Sequence, residues 1–357
     1  MTSRLAFVIP TRGRPRELSA AIRSIAEQVT ADARILVLYN KGEIDTERAI
    51  QRAAMRWPFV FSVGMDGAPD YSDKFRAMMR VASDSEWVWT FGDDDKLEPG
   101  ALKFMLSRLE QAEDDLKFIH VSERKRASGM GHTFTGRLFD LACSIGWLEM
   151  TGFITGNITR GSLLARCADT SLWDVYAKSA YVHSCAILET LKDEQAQFID
   201  LPLVDTQEPE QSAHSLKQWQ AEGTAFRYFH VADAIARMMS EGILTGKLPP
   251  KFFRYSSYHL WDRHITYFIA NAMAGAMWEC SWTEHVKLLA HLINDADVAQ
   301  SIRRDVDDAV TWALDREGAL LKAEIKKRQM EELYERRNAA VYPNFFTDGS
   351  DVKKVAA

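Results

Sequence analysis

Short apolar runs alternate with amphipathic segments over the first hundred residues, and few folds accept such a chain. Residues 5–9 form an unbroken apolar run, and 15–28 then carry Leu18, Ile22 and Ile25 on one helical face. Further apolar runs lie at 35–39, 59–63 and 87–91. Between them, 45–56 and 72–82 read as helices, the second with Phe75, Met78, Met79 and Val81 for packing. These strands lack polar alternation, so both of their faces are buried. Strands of that kind interleaved with helices predict an α/β fold built on a mostly parallel, Rossmann-like sheet. Such sheets bind ligands beyond the carboxyl ends of their strands. Three loops therefore gather round one crevice: 10–14, 39–43 and 92–96.

The pattern continues with a helix from near Glu98 to Glu110 and a strand at 118–121. Residues 129–132 read as a flexible loop, 151–157 are rich in Thr and Gly, and 175–191 have helical spacing. A last short strand at 198–204 is interrupted by Pro202. After Glu208 the chain turns helical, at 211–241, 261–278, 283–292, 298–314 and a densely charged 319–337. The best linker signal is the Gly- and Pro-containing 246–250. This divides the chain into an α/β region at 1–208, a helical region at 209–342 and a flexible tail at 343–357.

The 357 residues, 46% hydrophobic and 26% charged, exclude wholesale disorder. Lys plus Arg number 44 against 50 Asp plus Glu, a formal charge of -6. That balance argues against binding nucleic acid by bulk positive charge. Cys143, Cys167, Cys185 and Cys280 form no C-x-x-C pair, which fits a reducing cytoplasm better than a disulfide framework or a zinc site. No secretory leader is read at the start. The longest apolar stretch, 265–278, is interrupted by Asn271 and Gly275 and is shorter than the roughly 20 residues a membrane span needs.

Two loops carry chemistry. Asp93, Asp94 and Asp95 directly follow the 87–91 run. Their mutual repulsion is costly without a compensating cation, and Mg²⁺-type ions take oxygen ligands shared with phosphates. The competing reading is an acidic turn capping the helix that begins near Glu98. The other loop, Pro10-Thr11-Arg12-Gly13-Arg14-Pro15, joins the first strand to the first helix. Arginine pairs with phosphate, and a helix N-terminus favours anions. A solvated basic loop is the alternative. The two loops together favour a phosphate-and-metal site over either bland reading.

In these motifs the chain resembles the family 2 glycosyltransferases of GT-A fold. Their opening Pro-Thr-x-Asn-Arg is matched at Pro10, Thr11 and Arg14, with Gly13 where Asn is common. Their Asp-x-Asp metal motif, about eighty residues downstream, is matched at Asp93 and Asp95, and a typical preceding helical Lys at Lys74. The resemblance covers roughly residues 4–205 and implies an inverting, metal-dependent sugar transferase of the kind found in bacterial surface-polysaccharide assembly. It implies Mn²⁺ or Mg²⁺ on Asp93 and Asp95, with His183 as a third ligand. It also implies a nucleotide-sugar donor near Pro10, Thr11, Arg12, Arg14, Lys74, Asp93 and Asp94, and a glycan or lipid-linked acceptor.

The chain departs from the family in two places. Tyr39 and Asn40 stand where an acidic pair often contacts the base, so stacking by Tyr39 and a hydrogen bond from Asn40 replace it. No Glu-Asp pair marks the catalytic base, which leaves Asp174 and His183 as candidates. Against these roles, Asp174 reads equally as a helix N-cap and His183 as a core histidine. The C-terminal helices are open to three uses: shaping the acceptor side, homo-oligomer contact, or peripheral contact with the cytoplasmic face of a membrane. Rival readings are a nucleotidyltransferase, a non-catalytic binding protein on a degenerate GT-A fold, and a transferase acting on modified DNA bases.

Overall fold

Strand β1 (Leu5–Pro10) is apolar throughout and buried from Leu5 to Ile9, as a strand covered on both faces must be. In the computed structural model it lies inside the sheet, parallel to β2 (Ala33–Asn40) on one side and β4 (Trp87–Thr90) on the other. The structure describes residues 3–206, apart from 30–31, 68, 70, 124–126, 128–130 and 177–180. It also describes 234–246, 248–249, 252 and isolated positions between 287 and 325. Most of the helical region expected at 209–342, and the 343–357 tail, lie outside the described residues.

Among the described residues the sheet has nine strands. Besides β1, β2 and β4 they are β3 (Val60–Met65), β5 (Asp95–Leu97), β6 (Leu116–Glu123), β7 (Thr133–Arg137), β8 (Asn157–Arg160) and β9 (Gln195–Thr206). Their order is β3-β2-β1-β4-β8-β6-β9-β5, with β7 also paired to β9. The block β3-β2-β1-β4 is parallel, as the alternating pattern requires. Beyond it, β8 runs antiparallel to both β4 and β6, and β9 runs parallel to β6.

Two apolar layers sandwich the sheet. Leu5, Phe7 and Ile9 join α1 (Pro15–Ala26), α2 (Ile44–Arg56) and α4 (Ala101–Glu110) in one layer. Ala6 and Val8 face the other, built on α3 (Tyr71–Val81), α5 (Leu138–Ile145), α6 (Trp147–Thr151), α7 (Gly161–Ala168), α8 (Leu172–Tyr176) and α9 (Val182–Leu191). Ala234, Ile235, Met238 and Phe252 share this second layer, and Phe252 stacks on Trp147 at 6.0 Å. Trp87, Trp89 and Trp147 are fully buried core. Phe7 stacks on Trp89 with centroids 5.0 Å apart.

Two local expectations change. Pro202 does not interrupt β9, which runs through it for 12 residues. The strand changes partners there: Gln195–Ile199 face β7 and Val204–Thr206 face β5. The β6 ladder jumps from Ile199 to Val204. A proline between two ladders removes no ladder donor. The expected 175–191 helix is instead α8 and α9, with 177–180 outside the described residues. Of the loop expected at 129–132, residues 129 and 130 lie outside the described residues; Gly131 and His132 precede β7, and His132 O accepts the Asp200 N–H at 2.9 Å.

Candidate active site

Parallel pairing of Val8 with Thr90 brings the ends of β1 and β4 to the same edge of the sheet. After Pro10 the Thr11 N–H donates to Leu38 O at 2.9 Å, so the departing loop stays against β2. Gly13 then takes φ +63°, a turn conformation that glycine adopts without steric penalty. Pro15 opens α1, where its lacking N–H leaves nothing unsatisfied. After β4 the chain passes Phe91 and Gly92, turns at Asp93 and Asp94, and enters β5 at Asp95. The three acids thus sit on a tight turn between two strands, and are not a continuation of β4.

The two loops are bonded to each other. Thr11 Oγ1 donates to Asp93 Oδ2 at 2.7 Å. The Arg14 guanidinium donates to Asp93 at 3.2 Å and to Asp94 at 2.7 Å. From α3, Lys74 Nζ donates to Thr11 O at 2.7 Å and is itself buried. The acids do not serve as the cap of α4: its N-terminal flank is Gly100, with no side-chain cap bond.

Asp95 faces a different partner. Its carboxylate accepts the hydroxyl of Thr155, which in turn accepts the Gly92 N–H at 2.9 Å. Gly92 is needed at this spot. A Cβ there would fall 2.6 Å from Asp95 Oδ2 and 3.0 Å from Thr155 Oγ1.

Burial shapes the charges. Asp93 and Asp95 are each 7% exposed. Burial, reinforced by the Asp94 charge, pushes Asp93 up to about 6 although Arg14 and Thr11 oppose it. The same causes push Asp95 up to about 8, and only the Thr155 hydroxyl bond opposes them strongly. Burial lowers Lys74. Burial also acts to lower Arg14, but the Asp93 and Asp94 charges outweigh it and raise the group. Paired, buried carboxylates held partly against ionisation form a donor set that suits a hard divalent cation. Among the described residues, no group of three or more His, Cys, Asp or Glu side chains converges to hold a metal. Two carboxylates fit the usual habit of Mg²⁺-type ions, which complete their shell with phosphate oxygens and water.

At the end of β2, Asn40 Nδ2 donates to Glu43 at 2.9 Å while its Oδ1 is buried with no hydrogen-bond partner. Glu43 also accepts the Gly13 N–H at 2.8 Å, tying the arginine turn to this loop. Tyr39 is half-buried on the same strand, and Arg12 is exposed.

The other two candidates are not gathered here. Asp174 lies within α8, 68% exposed, and pairs with Arg76 at 2.7 Å. Arg76 follows Lys74 by two positions, so it points to the opposite side of α3. Asp174 is therefore held on the far side of α3 from the acid turn and is also not an N-cap. His183 is buried in α9, its ring 4.7 Å from Phe75. It belongs to the apolar layer, and the expected set of Asp93, Asp95 and His183 is not assembled round one point.

Sequence reasoning missed Thr155, Glu43 and the packing role of Gly92. The Thr- and Gly-rich stretch at 151–157 was the signal for Thr155, and the placing of the 39–43 loop at the crevice was the signal for Glu43, though neither residue was singled out. Two surface grooves, of about 360 and 430 Å³, lie elsewhere, and neither includes a residue of the acid turn.

No known family model matches this chain, and no curated protein does. Solved structures do. S. aureus TarS 1–349 in complex with UDP-GlcNAc is 11% identical, with a TM-score of 0.50 over 94% of this chain and 92% of that one. A mannosyltransferase, PcManGT from Pyrobaculum calidifontis, in complex with GDP-Man and Mn²⁺, is 15% identical, with a TM-score of 0.48 over 89% and 88%. Glucosyl-3-phosphoglycerate synthase from Mycobacterium tuberculosis, with Mn²⁺, UDP and glucosyl-3-phosphoglycerate, is 13% identical, with a TM-score of 0.39 over 62% and 78%. The likeness to TarS extends over nearly the whole chain, and it shows that this chain has the mixed α/β sheet architecture of a GT-A fold.

Proposed function

We propose that the chain is a metal-dependent glycosyltransferase that moves a sugar from a nucleotide-sugar donor to an acceptor hydroxyl with inversion, in glycan or polysaccharide assembly. The observation that carries this reading is the bonding of Thr11 and Arg14 to the acid turn at the carboxyl edge of the parallel strands. That edge is where α/β sheets of this kind take their ligands.

Asp93 and Asp95 would hold the divalent cation, which when bound offsets the charge that builds on the departing nucleoside diphosphate. The other roles fall to the chain itself. Arg14, already aimed by Asp93 and Asp94, and Arg12 supply fixed positive charge beside the diphosphate. Lys74 holds the Thr11 carbonyl, and so fixes the turn that presents those arginines. Asn40 offers a buried, unpartnered acceptor to an N–H on the edge of the nucleotide base. Tyr39, the preceding residue of β2, has its side chain on the other face of the strand, packed against the layer of α1, α2 and α4, so no base contact is assigned to it. Asp174 has no part in this scheme, because its ion pair with Arg76 holds it away from the acid turn.

The test is a panel of nucleotide sugars incubated with Mn²⁺ and the full chain. Release of nucleoside diphosphate, lost in Asp93→Asn, supports the reading. In a parallel incubation with nucleoside triphosphate and sugar 1-phosphate, release of pyrophosphate would favour a nucleotidyltransferase; no turnover in either incubation would favour a binding protein.

A further inference from the structure

Thr155 lies between the two ends of the acid turn. Its hydroxyl oxygen accepts the Gly92 N–H at 2.9 Å and its proton goes to Asp95 Oδ2. A threonine hydroxyl has a single proton to give. An amide N–H can only donate, so Gly92 takes a lone pair of the hydroxyl and leaves its single proton for Asp95 Oδ2. Thr155 is 1% exposed, and water is therefore a poor substitute for either bond.

The segment carrying Thr155 is held by other groups. Trp89 Nε1 donates to Thr155 O at 2.7 Å, and Thr90 Oγ1 donates to Ile154 O at 2.6 Å. Asn157 Nδ2 donates to Thr151 O at 2.8 Å, while its Oδ1 lies 3.0 Å from His120 Nδ1. Gly156 packs so tightly on His120 that a Cβ would come within 2.4 Å of its ring. These bonds use backbone carbonyls and neighbouring side chains, none of them the Thr155 hydroxyl. Its bonds reach only across to Gly92 and Asp95.

We infer that Thr155 is a positioning residue, whose hydroxyl fixes one oxygen of Asp95 and so presents that carboxylate to a divalent cation in a single orientation. The inference rests on the glycosyltransferase reading only in taking Asp95 as a cation ligand. Partners that orient ligating carboxylates are worth about ten- to a hundredfold in metal affinity.

The experiment is Mn²⁺ titration of the full chain without donor, read by the electron paramagnetic resonance signal of free Mn²⁺. Thr155→Val keeps the shape and removes the hydroxyl; Thr155→Ser keeps the hydroxyl and removes a methyl. The expected result is about ten- to a hundredfold weaker Mn²⁺ binding in Thr155→Val, with Thr155→Ser close to wild type. Circular dichroism checks that each variant is folded; should Thr155→Val not fold, Thr155→Ala against Thr155→Ser makes the same comparison. Unchanged binding in Thr155→Val would overturn the inference alone, leaving the enzyme reading intact. Equal loss in Thr155→Ser would also overturn it, by showing that packing volume matters and the hydroxyl does not. A wild-type chain that takes up no Mn²⁺ either alone or with a nucleoside diphosphate added would overturn both.

Discussion

Replacing Asp95 by Asn should stabilise the metal-free protein at alkaline pH while removing its response to metal. The Asp95 carboxyl rises from 3.8 to about 8 on folding, chiefly through burial and secondly through the Asp94 charge. Below about pH 4 both folded and unfolded chains hold the proton, and the group exerts no pH-dependent effect. Between about pH 4 and 8 the unfolded chain ionises while the folded chain keeps its proton. Folding stability then falls as pH rises, by about 1.4 kcal/mol per unit, with a ceiling of about 6 kcal/mol across the window. That is a large share of the 5–15 kcal/mol typical of a folded domain. Asn mimics the protonated acid and can still accept the Thr155 hydroxyl. Urea denaturation followed by circular dichroism in chelator, from pH 4 to 8, tests this. The difference between variant and wild type should be near zero at pH 4 and reach several kcal/mol in favour of Asp95→Asn at pH 8. Added Mn²⁺ should recover wild-type stability at pH 8 and leave the variant unmoved. Parallel pH curves, or a variant less stable than wild type at pH 8, would refute the burial argument.

Three further outcomes follow from the same geometry. Gly92→Ala should fold but lose the Mn²⁺-induced rise in Tm, because a Cβ 2.6 Å from Asp95 Oδ2 forces that carboxylate aside; thermal melting with and without Mn²⁺ reads this. Lys74→Met should lower stability by about 1–3 kcal/mol, since the buried Thr11 carbonyl loses its donor, and denaturant titration measures it. Asp174→Ala should keep donor turnover at the wild-type rate and lose less than about 1 kcal/mol, because it breaks one exposed ion pair; a steep fall in turnover would return Asp174 to the reaction.

The parallel half of the fold was legible because burial on both faces leaves a plain mark. Leu5 to Ile9 have no polar residue to place against solvent, so the strand had to be internal. The far half was harder to read for a physical reason. β7 is exposed along Thr133, Phe134 and Thr135, so its sequence has no buried stripe, and its existence depends on pairing with β9. Pro202 misled in the same way: local propensity forbids a ladder bond there, but only the tertiary arrangement shows that no such bond is needed.

The site divides along the same line. Arg14 and the acid turn could be paired from sequence because each follows directly on a buried strand, and strand order then brings them together. Asp174 and His183 rest on the family resemblance and on residue type, and neither fixes the direction of a side chain. On α3, two positions separate Lys74, pointing to the Thr11 carbonyl, from Arg76, pointing to Asp174. That half-turn decides which acid stands by the chemistry. Thr155 shows the converse. Its residue type is unremarkable and it lies some sixty positions from Asp95. It matters because Trp89 and Thr90 of β4 hold its backbone beside the strand that leads into the acid turn. The carboxylates and the hydroxyl that steers one of them thus hang from the same strand. A change in the β4 core, such as one at Trp89, should therefore reach the proposed cation site through Thr155 before it reaches Arg14.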